Sequence, residues 1–177
     1  CKYDVIVITG DMLATGSSDV GPFFEMIEGI KNKTQMFYTS GNTGPWGYNG
    51  YIGQTNEMGR KLEEKGLSLL NKIYSIKKDN DKIWFFECLN INLISSFLKE
   101  IRKELQINNH FKNQEKLKSD ELFLSKLKDE LQQLNGANGI KIGVTHFPYD
   151  TDGTLVNGDS WLNKDLILAG HYHGGQF

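Results

Sequence analysis

Five short apolar runs punctuate this chain, and they constrain its fold more than any other feature. They are Val5–Thr9, Gln35–Thr39, Ile83–Glu87, Ile140–Thr145 and Leu166–Ala169. Most are rich in β-branched or aromatic residues and bounded by Gly, Asn or Asp, the pattern of buried strands. VIVIT shows no polar–apolar alternation, which predicts a strand covered on both faces. Helical periodicity lies between the runs. Phe23, Phe24, Ile27 and Ile30 follow Asp19, a candidate cap, and Met58 and Leu62 follow Thr55, with Gly66 as the stop. Leu93, Phe97, Leu98, Ile101 and Leu105 share one helical face, and so do Leu127, Leu131 and Leu134 ahead of Gly136. Strands alternating with helices predict an α/β fold. The polar stretch Asn108–Ser119 reads as a loop. Residues 92–135 read either as two amphipathic helices packed on the sheet or as a cap over a site.

A length of 177 residues suits one domain. The net charge of −2 argues against a dedicated nucleic-acid binder. A phosphate-bearing substrate stays open if a metal supplies the positive charge. Cys1 and Cys88 form neither a disulfide framework nor a zinc spacing. No apolar run reaches the length of about 18 residues that a spanning helix needs, so no transmembrane segment is expected. The chain opens at Cys1, already beside a strand, and stops at Phe177, so both ends read as cut. The compartment stays open, with the cytoplasm or a membrane periphery favoured.

Four of the runs lead directly into polar residues with ligand chemistry. VIVIT reaches Gly10-Asp11, QMFYTS reaches Gly41-Asn42, IKIGVT reaches His146, and DLILA reaches Gly170-His171-Tyr172-His173. In open α/β sheets, ligands bind beyond the carboxyl ends of the strands. Taken singly, Asp11 and Asn42 are ordinary turn residues, and His146 fits a satisfied core position. Together they point to a metal site. Oxygen and imidazole donors suit Mn, Fe or Zn better than Ca or a thiolate-bound zinc. Strict strand alternation would part His171 from His173, whereas a turn after Ala169 lets both face one pocket.

At these residues the chain resembles the calcineurin-like metallophosphoesterases, whose motifs run DxH, GD, GNH with an acidic neighbour, a lone His, and GHxH. Gly10-Asp11, Gly41-Asn42, His146 and Gly170–His173 follow that order across nearly the whole chain. The ending GHYHGGQ is similar to the YkuE-like and YaeI-like phosphodiesterase branch, and Leu62–Lys72 resembles that branch's helix-Gly-strand unit. The resemblance implies a layered β-sandwich flanked by helices, αββα, spanning residues 1–177 and incomplete at both ends. It also implies two divalent metal ions, with Asp11 bridging them. Asn42, His146 and His171 would complete the second metal, and His173 would serve the first. A bridging water, hydroxide near neutral pH, would then attack phosphorus.

Two departures from the family pattern matter. The DxH motif is absent and would belong upstream of Cys1. In place of GNH stands Gly41-Asn42-Thr43, and a Thr hydroxyl has no useful pKa for protonating a leaving group. Phosphodiesters with good leaving groups depend on such help least. Other patterns are weaker. His110 reads as a solvated loop residue. Asp150 and Asp152 lie near His146 in sequence, but Leu155 stands where a calcium loop needs Gly. GNTGPWG lacks the Lys-Ser/Thr of a phosphate loop. Trp46, Tyr48 and Tyr51 read either as an aromatic wall for substrate or as loop packing. The resulting expectation is a phosphoester hydrolase acting on a small-molecule or lipid-linked substrate, more on diesters than on monoesters. The alternatives are a catalytically impaired binding module on the same scaffold, and a metal-binding domain without phosphate chemistry.

Overall fold

In a computed structural model, residues 4–30, 34–50, 53–88, 91–107, 111–147 and 164–171 are described. The element order is β1 (Val5–Ile8), α1 (Gly21–Gly29), β2 (Gln35–Tyr38), α2 (Glu57–Glu64), β3 (Leu67–Leu69), β4 (Tyr74–Lys78), β5 (Asp81–Glu87), α3 (Ile91–Ile107), α4 (Phe111–Asn135), β6 (Ile140–Thr145) and β7 (Leu166–Ala169). The fold is mixed α/β, with two sheets flanked by helices. One sheet is β1-β2-β3, all parallel, and the other is β4-β5-β6-β7, antiparallel only at the β4–β5 hairpin.

Side-chain alternation explains why these strands read as continuous apolar runs. Successive residues point to opposite faces, and both faces are covered. Val5, Val7 and Phe37 from the first sheet meet Ile83, Phe85, Ile142, Val144 and Leu168 from the second in one shared cluster. Phe37 and Phe85 stack at the centre of it, with ring centroids 4.4 Å apart. The alternate residues Ile6, Ile8, Met36 and Tyr38 pack instead with Phe23 and Ile27 of α1 and Leu62 of α2. On the far side, Trp84 and Phe86 pack with Ile94 and Leu98 of α3 and Leu124, Leu127, Leu131 and Leu134 of α4.

Several local expectations are corrected. Residues 108–110 lie outside the described residues, but from Phe111 onward the expected loop is helix, because α4 starts there. Its Lys, Gln and Glu are good helix formers, and Gln54 Nε2 donates to Ser119 Oγ at 2.8 Å and Asp120 Oδ1 at 3.1 Å. The cap of α2 is Asn56 rather than Thr55, its side chain accepting from the Gly59 N–H at 2.9 Å. Asp19 sits one residue before the Val20 N-cap of α1 and accepts from the Gly21 N–H at 2.9 Å. β4 went unpredicted: it is a strand of mostly exposed residues, YSIKK, at the sheet edge, where Lys77 and Lys78 discourage further pairing. Among the described residues, no helix is long and apolar enough to cross a membrane.

Candidate metal centre

The parallel strands β1, β2, β6 and β7 all end at one edge of the two-sheet stack, and the loops leaving them converge. The loop after β1 comes so close to the loop after β2 that neither glycine tolerates a side chain. A Cβ on Gly10 would lie 2.6 Å from Gly41 Cα, and one on Gly41 would overlap the Asp11 amide and carboxylate. Gly10 (φ 91°) and Asp11 (φ 54°) both adopt left-handed backbone, as does His171 (φ 68°). Such conformations are uncommon for residues with side chains and persist where the surroundings enforce them.

Four of the five expected ligands meet at this edge. Asp11 Oδ2 lies 3.1 Å from His146 Nε2, which is 3.2 Å from His171 Nδ1, and Asn42 Nδ2 lies 3.3 Å from the same His171 atom. One ligand atom from each of Asp11, His146 and His171 falls within 4.8 Å of the others. His173 lies outside the described residues, as do His110, Tyr51, Asp150 and Asp152.

The protonation pattern follows from the backbone. His146 Nδ1 lies 2.6 Å from the Thr9 carbonyl oxygen. A carbonyl only accepts, so Nδ1 carries a proton and Nε2 is the ring nitrogen turned toward the cluster. Nε2 faces a carboxylate oxygen and a second imidazole nitrogen. Groups arranged in this way can share a proton or hold a cation between them. A carboxylate with two imidazoles is a donor set that fits Mn, Fe or Zn, and a backbone-anchored Nδ1–H is the usual support of a metal-binding histidine. Asp11, His146 and His171 thus offer ligand atoms that could hold one ion.

Thr43, next to Asn42 in the loop after β2, serves that loop. Its hydroxyl donates to the Leu13 carbonyl at 2.7 Å, and its N–H donates to Asp11 Oδ1 at 3.0 Å. Burial pushes the Asp11 carboxyl up. The Thr43 N–H, the neighbouring His146, the Asn42 N–H and the Thr43 hydroxyl outweigh that and hold it below the ordinary carboxylate value. Asp11 is thus kept ionised and ready to bind a cation.

Beside the cluster opens a cavity of about 500 Å³, lined in part by Asn42, His146, Trp46, Tyr48, Glu87 and Phe147. Its rim is aromatic. Trp46 is 56% exposed and Phe147 45%, with the Trp46 ring N–H donating to the Gly41 carbonyl at 3.0 Å. Tyr48 divides from Trp46 in role: it is buried and donates its hydroxyl to Glu87 Oε2 at 2.6 Å. The Thr39 hydroxyl donates to Glu87 Oε1 at 3.0 Å. Burial raises the Glu87 carboxyl to about 7, although the bonds from Tyr48 and Thr39 act to lower it. The Tyr48 hydroxyl is pushed well above its ordinary value by burial and by the Glu87 charge.

Sequence reasoning missed Glu87 as a site residue, yet the signal was present. Like Asp11, Asn42, His146 and His171, it sits at the end of an apolar strand, IWFFE. Without a preceding Gly or a motif, it read only as the last strand residue. No family model matches this chain, and a search of curated proteins finds no relative.

Proposed function

We propose that this chain is a metal-dependent phosphoester hydrolase, favouring diesters, with the resemblance to the calcineurin-like metallophosphoesterases as its frame. The observation that carries the reading is the meeting of Asp11, Asn42, His146 and His171 from four strand ends, beside a cavity that Asn42 and His146 line. Asp11, His146 and His171 would hold a divalent ion, with the Asn42 amide beside them. A second ion would need His173 and ligands from an upstream DxH motif. Bound ions supply Lewis-acid activation of water and neutralise charge on the phosphoryl oxygens.

The remaining roles belong to the chain itself. Thr43 holds Asp11 ionised, and the Thr9 carbonyl fixes the His146 ring. Trp46 and Phe147 offer apolar surface to the organic part of a substrate at the cavity rim. The preference for diesters rests on Thr43, which is engaged with Leu13 and Asp11 and supplies no acid of its own.

The test is hydrolysis of an activated aryl phosphodiester with added Mn²⁺, alongside metal analysis. Wild type is expected to bind metal and cleave the diester, and Asp11→Ala to lose both. Absence of cleavage with every divalent ion, in a folded metal-loaded protein, would overturn the hydrolase reading. It would favour the second one, a binding module on the same scaffold, for which the engaged Thr43 hydroxyl speaks.

A further inference from the structure

A hydrolase site without the family histidine needs another source for the proton that a poor leaving group takes up. Among the described residues lining the cavity beside the cluster there is no Lys, Arg, Asp or Cys; the titratable ones are His146, Tyr48 and Glu87. His146 is committed, its Nδ1–H to the Thr9 carbonyl and its Nε2 to the Asp11–His171 cluster. The Tyr48 hydroxyl is engaged with Glu87 and is a weaker acid than an ordinary phenol. Glu87 remains. It stands at the end of β5, opposite Val144 of β6, one strand over and two residues before His146. Its two oxygens are positioned by Thr39 and Tyr48, both from the segment that also carries Asn42. The titratable groups around it are Tyr48, bonded to it from that segment, and His146, which lines the same cavity from the end of β6.

We propose that Glu87 is the proton donor to the leaving oxygen in this site, held in place by Thr39 and Tyr48. This rests on the hydrolase reading. Water adds to phosphorus and gives up its proton to solvent. The bond from phosphorus to the leaving oxygen breaks, the electron pair stays on that oxygen, and the Glu87 carboxyl proton moves to it. The carboxylate then takes a proton back from solvent. Burial supports the role, because the carboxyl retains a proton close to neutral pH.

The experiment compares two phosphodiesters that differ only in the leaving group, a nitrophenol and a primary alcohol, using the full chain with Mn²⁺. Glu87→Gln keeps the shape and loses the acid. It is expected to slow the alcohol diester by about 10²–10⁴-fold, to slow the nitrophenyl diester by less than about tenfold, and to leave metal content unchanged. The wild-type pH profile tests the same point without a substitution: the alcohol diester should lose rate as the carboxyl deprotonates, and the nitrophenyl diester should not. In the metal-free protein, a carbon-13 glutamate NMR titration should place the Glu87 midpoint at about 7, and an ordinary carboxylate midpoint would overturn the proposal. If wild type cleaves both esters and Glu87→Gln affects them alike, the donor role falls and the hydrolase reading stands. If wild type cleaves neither with any divalent ion, the hydrolase reading falls and takes the donor role with it.

Discussion

Asp11 and Glu87 are both carboxylates at strand ends, and their surroundings push them in opposite directions. Asp11 is held low, so its contribution to stability is fully present above the ordinary carboxylate pKa and is lost as pH falls through its depressed value. Glu87 is raised, from 4.5 to about 7, so its contribution is fully present below 4.5 and is lost as pH rises through about 7. The metal-free protein should therefore lose stability across that window, by an amount on the order of a few kcal/mol. Glu87→Gln removes the dependence. Chemical denaturation of the metal-free protein at several pH values is expected to show the variant gaining on wild type from acidic to neutral pH. A constant difference would contradict the raised carboxyl. At the cluster, a divalent ion at a hundredfold excess over its Kd should stabilise wild type by about 2.7 kcal/mol. Asp11→Ala should show no such shift in Tm on metal addition.

At the scale of elements, helix caps and strand edges were only partly legible. The Asn56 cap of α2 was missed because Thr55 and Asn56 are both acceptable caps, and only backbone geometry separates them. Asn56→Ala should cost about 1 kcal/mol by thermal or chemical denaturation, and Thr55→Ala much less through the cap. The start of α4 was missed because its first turns carry little apolar content, and its support comes from α3 and Gln54. Arg102 of α3 reaches Glu121 of α4 at 2.6 Å, far outside any local window. β4 was missed for a related reason: as an edge strand its identity depends on pairing with β5, from Tyr74 opposite Phe85 to Lys78 opposite Asp81.

For the whole molecule, the seam between the sheets ties stability to the site. Phe37 of β2 and Phe85 of β5 stack across it, and the candidate ligands at its edge come from both sheets, Asp11 and Asn42 from one, His146 and His171 from the other. Phe37→Ala should cost about 3–5 kcal/mol and also weaken metal binding, since the two halves of the ligand set lose their shared support. Titration of metal into Phe37→Ala under conditions where it is folded checks this. Leu131→Ala, buried equally deeply but in the cluster under α3 and α4, should cost about 2–5 kcal/mol and leave metal affinity near wild type.

The sequence by itself determined β1, β2, β5, β6 and β7 and the polar residues at their ends. Apolar runs, glycines and helical periodicity are local properties, and each acts on the backbone around it. Tertiary structure alone decided which of those ends face one another. It aligned His146 Nε2 with Asp11 through a carbonyl 137 residues away in sequence, engaged the Thr43 hydroxyl with Leu13, and turned Glu87 from a strand terminus into a part-buried acid lining the cavity beside the cluster. These depend on two sheets packing face to face, because burial, close approach and the sharing of a proton arise only when distant segments exclude water together.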